Sequence, residues 1–367
     1  MSRWAWAEVS PSAIEHNVRS IVATVAPAAL WAVVKADGYG HGGVLAARAA
    51  QAGGAQGLCV ALVQEGVVLR EAGIAGPILV LSEQPAAALA GAVHHELAIT
   101  LYSKAQVAAL AAAGAVDHPV HLKIDTGMRR VGVGIGDAVA LADVIAASPA
   151  VRLAGALTHL AAADEPENPF TEHQLDRFDE ALAALAAAGH RPPLVHAANS
   201  AGALTHPRAR YGMVRAGIAI YGISPGPGID HLCGDLRPAM ALRARVSHVK
   251  RVASGEGISY GLRHTFERDA TVATLPIGYA DGVPRRLHAV GGTVLLGGHH
   301  RPIVGVVTMD QLMVDCGDDD IQPGDEVVLI GSQGGHTIAA ADWAEALDTV
   351  AYEIVCGISA RVERLPV

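Results

Sequence analysis

The sequence predicts an α/β protein: an N-terminal (β/α)8 barrel of the TIM type, followed by a mainly β C-terminal domain. Three observations predict it. Eight apolar runs of strand length recur over roughly the first 220 residues, alanine-rich helix-period segments separate most of them, and the texture changes beyond residue 230. The runs are 31–36 (WAVVKA), 57–62 (GLCVAL), 77–82 (PILVLS), 97–101 (LAITL), 120–125 (VHLKID), 153–158 (LAGALT), 194–198 (LVHAA) and 215–220 (RAGIAI). Helical segments such as 42–53, 63–73, 103–114, 136–147 and 172–188 lie between them, several closed by glycine as helices often are. Alanine-rich segments alone would also suit a helical bundle, and the regularly spaced β-branched runs favour the barrel. After SPGPGID (224–230), short strands such as ATVATLPIG, GTVLLGG, RPIVGVV and DEVVLIG alternate with Gly, Pro and Asp, interrupted by one helical stretch at 338–348. The expected organisation is a strand in 1–10 joining the β domain, a barrel over 11–230, and the β domain over 231–367.

Composition narrows the function. A chain of 367 residues with 51% hydrophobic side chains can bury a large core, and a net charge of −9 without a Lys/Arg block argues against nucleic acid or an anionic membrane as partner. Glu8 interrupts any apolar leader, and no run approaches the ~18 uncharged apolar residues of a membrane span, so a cytoplasmic protein acting on small molecules is expected. Cys59, Cys233, Cys316 and Cys356 are far apart and read as reduced thiols. His94-His95, His118/His121 and His299-His300 fit no metal-ligand spacing, so no metal is expected.

In such a barrel, chemistry sits at the C-terminal ends of the strands. Lys35 ends the first run, Lys123 and Asp125 the fifth; His159 follows the sixth, Asn199 and Ser200 follow the seventh, and Arg215 opens the eighth. A lysine within a β-branched run is costly to bury as a cation, but burial makes its neutral amine a nucleophile toward a carbonyl. The chain has only four lysines, at 35, 104, 123 and 250. Taken alone, Lys35 could equally be a strand-end residue whose stem snorkels to solvent.

VVKADGYGHG (33–42) resembles the pyridoxal-phosphate lysine motif of alanine racemases. The resemblance continues through KIDTGMRRVG (123–132), THLAAAD (158–164), HAANSAG (196–202), VRAGIAIYG (214–222), GISYG (257–261), IGYADG (277–282), TMDQ (308–311) and AYEIVCGIS (351–359). Nine motifs in order, spread over nearly the whole chain, make it specific.

The resemblance implies a cofactor, pyridoxal 5′-phosphate, with Lys35 as the Schiff-base lysine. Tyr39, Asn199, Ser200, Gly217, Ile218 and Tyr352 are implied around the cofactor, mostly as its phosphate cup; hydroxyls and glycine-exposed N–H groups suit a phosphate dianion. Arg215 is implied to face the pyridine nitrogen, where a guanidinium donates a hydrogen bond but is a poor proton donor. Racemisation removes an α-proton from one face and returns one to the other, and the resemblance implies Lys35 and Tyr260 as the two bases. His159 is then bonded to Tyr260 and Arg215 to His159, a cationic chain favouring the phenolate. Arg130, with Met309, is implied to hold the substrate carboxylate, Tyr279 and Asp310 to line the entrance, and Lys123 to be carbamylated. Arg129 departs from the pattern, standing where a small residue is usual. A head-to-tail homodimer with shared sites, L-alanine and D-alanine as substrates, and D-alanine supply for peptidoglycan complete the expectation. Three alternatives stand beside it: a racemase of another or broader set of amino acids, a pyridoxal-phosphate amino-acid decarboxylase, whose G-G-G loop and downstream cysteine motif are missing here, and a lone-barrel vitamin-B6-binding protein, which would lack the domain carrying Tyr260.

Overall fold

The computed structural model describes residues 3–367 as two compact units, one of residues 12–38 and 42–237, the other of residues 3–11, 39–41 and 238–367.

In the first unit, eight parallel strands form a nearly closed barrel. They are β2 (Ala29–Val33), β3 (Gly57–Val60), β4 (Ile78–Val80), β5 (Ala98–Leu101), β6 (His118–Asp125), β7 (Val151–Leu157), β8 (Leu194–His196) and β9 (Met213–Ala216), where β1 (Ala5–Val9) belongs to the other unit. β9 pairs back onto β2, with Arg215 opposite Trp31. Between β8 and β9 no ladder forms; single bonds from Gly212 N to Val195 O (3.1 Å) and Arg215 N to Ala198 O (3.0 Å) bridge the seam. Strands covered on both faces read as unbroken apolar runs, and β3, β4 and β5 are buried at every position.

Helices α1 (Pro11–Val25), α2 (Gly43–Ala52), α3 (Val63–Glu71), α4 (Ala86–His94), α5 (Lys104–Ala112), α6 (Ala138–Ala147) and α7 (Phe170–Ala187) alternate with the strands, and the short α8 (Ser200–Thr205) follows β8. The N-cap side chain itself closes two of them: Ser103 Oγ accepts from Gln106 N at 3.2 Å and Asn199 Oδ1 from Gly202 N at 2.9 Å.

Two boundaries differ from the sequence reading. The first run ends as a strand at Val33, because Ala36 to Gly40 all adopt positive φ and leave the sheet. Arg215 sits inside β9, not at its start, and Ile218–Tyr221 is a 3-10 turn. Pairing with β2 fixes β9, whereas the apolar run simply continues past it.

The second unit is built on a ten-stranded sheet, beside a separate two-stranded hairpin of residues 257–258 and 264–265. The strands of the sheet are β1, β10 (Met240–Arg245), β11 (His248–Val252), β12 (Ala270–Leu275), β13 (Thr293–Leu296), β14 (His299–Val304), β15 (Leu312–Asp315), β16 (Glu326–Gln333), β17 (His336–Ile338) and β18 (Glu363–Pro366). The order is β11-β12-β15-β14-β13-β16-β10-β1-β18, with β17 on β16. β1 runs antiparallel to β10 and parallel to β18. β10 alternates buried and half-buried residues, the signature of a one-faced strand. The expected helical stretch at 338–348 is α9 (Ala340–Leu347), stopped where Asp348 turns left-handed (φ 57°); a second helix, α10 (Ala351–Gly357), follows and was not expected from the sequence.

Candidate active site

Lys35 lies two residues beyond β2, half-buried, at the start of a run of five left-handed residues, Ala36, Asp37, Gly38, Tyr39 and Gly40 (φ 51°, 52°, 63°, 51° and 79°). Glycine takes this conformation freely, whereas each residue with a Cβ incurs about 1–2 kcal/mol. Polar anchors offset that cost. Glu65 Oε1 accepts from Ala36 N at 2.6 Å, Asp37 Oδ1 from Gly43 N at 2.6 Å, and Val34 O from Gly38 N at 2.9 Å.

Arg215 is the most enclosed cation of the barrel. Its Nη1 donates to His196 Nδ1 (2.7 Å), while Nη2 donates to Thr158 O and Ala197 O (both 2.8 Å) and lies 3.4 Å from His159 Nδ1. Burial brings Arg215 down to about 10, so it remains charged near neutrality. His196 Nε2 lies 2.8 Å from His121 Nδ1. Burial and then the Arg215 charge hold His196 and His159 well below the usual imidazole value and His121 at about 3, so all three rings are neutral. A guanidinium has no acceptor, so Nδ1 of His196 and of His159 must accept and Nε2 of each carries the hydrogen. His196 therefore donates onward to His121. In the expected chain of Arg215 and His159, the charge therefore sits on Arg215 and the His159 ring beside it is neutral. The sequence reading missed His196 as a partner and saw His121 only as a rejected metal ligand. Strand alternation carries the signal, because His121 and Lys123 are two apart on β6 and share a face.

Lys123 is buried near the end of β6 and lines a small cleft with Asp125, Met128, Arg130 and His159. Burial, then repulsion from Arg215, Arg130 and Lys35, lowers it to about 8 against a weaker opposing pull from Asp125. Arg130 is exposed at the cleft rim. Its neighbour Arg129 is exposed too, with a left-handed backbone (φ 59°) tied to Asp125 Oδ1 at 3.1 Å.

Beyond β8 and β9, Ser200 Oγ accepts from Gly217 N (2.8 Å) and Ala219 N (3.4 Å), drawing together the start of α8 and the turn that contains Ile218. Asn199 caps α8.

The other expected residues lie in the second unit. Tyr39 and Tyr352 stack at a tilt with centroids 6.0 Å apart. Tyr260 is 73% exposed, in a turn whose preceding residue, Ser259, is left-handed and bonded through Oγ to Val306 O at 2.8 Å. Tyr279 N donates to Thr308 O (2.9 Å) and Ala280 N to Met309 O (3.0 Å), so the Tyr279 turn and the Met309 loop are stitched together. Both side chains are exposed. Asp310 is paired with Arg361 at 2.7 Å.

Family comparison bears on this geometry. The sequence model for "Alanine racemase, N-terminal domain" matches residues 9–225, and that for "Alanine racemase, C-terminal domain" matches residues 239–366. The chain belongs to the alanine racemase family. Alanine racemase of Symbiobacterium thermophilum is 48% identical over 366 residues, 99% of this chain and 97% of the relative. That of Thermobifida fusca is 44% identical, covering 100% and 98%. Among solved structures, alanine racemase from Bacillus anthracis with bound L-Ala-P superposes with a TM-score of 0.95 at 38% identity, covering 100% of this chain and 95% of that one. The enzyme from Streptomyces lavendulae gives 0.92 at 39% identity, covering 100% and 97%. Alanine racemases are pyridoxal-phosphate-dependent isomerases, so fold, family and enzyme class agree with the sequence reading. Among the described residues, no helix is long and apolar enough to cross a membrane.

Proposed function

We propose that the protein interconverts L-alanine and D-alanine with pyridoxal 5′-phosphate on Lys35, using Lys35 and Tyr260 as bases on opposite faces. The residues present suit that cofactor. Ser200 Oγ uses its lone pairs on two backbone N–H groups, which leaves its own hydrogen to donate to a phosphate oxygen, beside Gly217 and Ile218 at the strand 7–8 position where barrels bind phosphate. Tyr39, Asn199 and Tyr352 would complete that cup. When bound, the cofactor supplies an electron sink that acidifies the α-C–H of an amino acid.

The observation that carries the reading is the fixing of Arg215. With Nη2 shared among two carbonyls and His159, and Nη1 given to His196, it can offer a hydrogen bond to a pyridine nitrogen but not a proton. Such a partner restrains charge delocalisation into the ring and favours simple return of the α-proton over transamination. His159 Nε2–H donates to the Tyr260 oxygen, favouring the phenolate that accepts a proton. Arg130, helped by Met309 N–H, binds the substrate carboxylate; Tyr279 and Asp310 line the approach; a carbamate on Lys123 supplies the anion that holds Arg130.

Tyr260, Tyr279 and Met309 belong to one unit and Lys35, His159 and Arg215 to the other. A head-to-tail homodimer, in which Tyr260 of one chain serves Lys35 of the other, would assemble two shared sites. The product D-alanine suits peptidoglycan synthesis in the cytoplasm. Incubating the cofactor-loaded protein with single L-amino acids in D2O tests the reading: α-deuteration with loss of chirality on alanine supports it, and no exchange on any amino acid overturns it.

A further inference from the structure

We propose that Glu65 is a positioning residue for Lys35, tying the peptide that follows the lysine to the next β/α loop of the barrel. Glu65 is the third residue of α3, and its Oε2 accepts from Ala61 N (2.7 Å) and Leu62 N (3.0 Å) just before that helix. The bond to Leu62 N is the ordinary back-reach of a capping-box glutamate. The other oxygen does something a cap does not require. Oε1 accepts at 2.6 Å from Ala36 N, 29 residues earlier in sequence and immediately after Lys35. One carboxylate thus holds three N–H groups from two loops.

Its placement determines what the contact does. Lys35 has a flexible four-carbon stem, so its reach is defined by how its Cα is held. On one side, Val34 N is bonded to Cys59 O at 2.9 Å, continuing the pairing of β2 with β3. On the other, the Lys35–Ala36 peptide is a rigid plane, and Glu65 fixes its N–H. Ala36 is also the first residue of the left-handed run and carries a Cβ that disfavours that conformation (φ 51°). With the Glu65 bond in place, the chain turns off the strand immediately after the lysine; without it, Ala36 is free to relax toward negative φ and rotate the root of the lysine. Asp37 Oδ1 on Gly43 N (2.6 Å) closes the far end of the same turn. The inference rests on Lys35 being the cofactor lysine.

Glu65→Gln separates anchor from cap. Glutamine serves a capping box as well as glutamate, but it has one acceptor oxygen, and its NH2 group faces another donor wherever it is placed. Its one acceptor oxygen stays where two N–H groups need it, on Ala61 N and Leu62 N, and its NH2 then faces Ala36 N; Glu65→Asp keeps the charge but shortens the reach. Two readouts decide. In the cofactor-free protein, amide exchange at Ala36 should speed roughly tenfold or more in both variants, the loss expected for a charge-assisted hydrogen bond, while α3 amides and the melting temperature of Glu65→Gln stay near wild type. The rate at which the cofactor-free protein captures added pyridoxal phosphate should fall by a similar factor. Unchanged Ala36 exchange in both variants overturns the anchor. Faster Ala36 exchange with unchanged capture shows that the contact is only structural and overturns the positioning role. Capture at wild-type rate by Lys35→Ala would instead overturn the cofactor lysine itself, and the Ala36 exchange would still decide whether the anchor exists.

Discussion

Raising bicarbonate over the purified protein should carbamylate Lys123. The amine nitrogen attacks CO2, loses a proton to solvent and becomes R–NH–COO−, so only the neutral amine reacts. At about pH 7.5, a value near 8 leaves roughly a quarter of Lys123 neutral, against about 0.1% at the ordinary 10.5. The barrel thus enriches the reactive form by a factor of about 200. Its cause is structural: Lys123 is buried and shares its surroundings with Arg215, Arg130 and Lys35, and the carbamate replaces a fourth cation there with an anion. Because the shift is downward, carbamylation should rise with pH up to about 8 and then level off. With 13C-bicarbonate, the wild type should give one slowly exchanging carbamate resonance that Lys123→Ala lacks. Loss of that anion should raise the KM for alanine by roughly tenfold or more, as one charge-assisted contact is removed from Arg130. Absence of the resonance at pH 8 in excess bicarbonate, or its persistence in Lys123→Ala, would refute the reasoning.

Three further predictions follow from the barrel and its partner unit. Arg215→Glu should keep cofactor binding, lose about 100-fold or more in racemisation, and form pyridoxamine phosphate, because a carboxylic acid can share a proton with the pyridine nitrogen; unchanged product distribution by chromatography would show that Arg215 only packs. Gly155 leaves the space that the His121 ring occupies, since a Cβ there would lie 2.5 Å from His121 Nδ1 and 2.6 Å from Leu194 O. Gly155→Ala should therefore lower stability by about 1–3 kcal/mol in denaturant titration, and a wild-type midpoint would contradict the packing. Co-expressing Lys35→Ala with Tyr260→Phe should restore about a quarter of wild-type activity, since random pairing makes half the dimers mixed and each mixed dimer has one intact site; heterodimers without recovered activity would place both bases in one chain.

The barrel was legible because its strands are covered on both faces, so β3, β4 and β5 appear in the sequence as apolar runs with punctuated ends. Strand ends were less so. Val34 and Ala36 continue the run of β2, and nothing local to them announces a left-handed turn; Gly38 and Gly40 permit it, but Glu65, 29 residues away from Ala36, anchors it. The second helix of the β unit, α10, was missed because it starts directly after the β-branched pair Thr349-Val350 and is short. Of the candidate site, the motifs located Lys35, Lys123, His159 and Ser200 at or just beyond strand ends, and Arg215, expected to open its run, lies within β9. They did not reveal that Arg215 leans on His196 more closely than on His159, at 2.7 against 3.4 Å, because which ring faces the guanidinium depends on strand register. The neutrality of His159 was equally hidden: a sequence shows a histidine, whereas burial beside Arg215 sets its charge.

The two-base claim is tested most directly by following α-proton exchange from each enantiomer of alanine in D2O with cofactor-loaded Tyr260→Phe. With Lys35 left as the only base, one enantiomer should acquire deuterium at its α-carbon without inverting, while the other should neither exchange nor racemise. Conversion of both enantiomers into each other at the wild-type rate would contradict the account, because it would mean that the second face of the substrate is served by a group other than Tyr260.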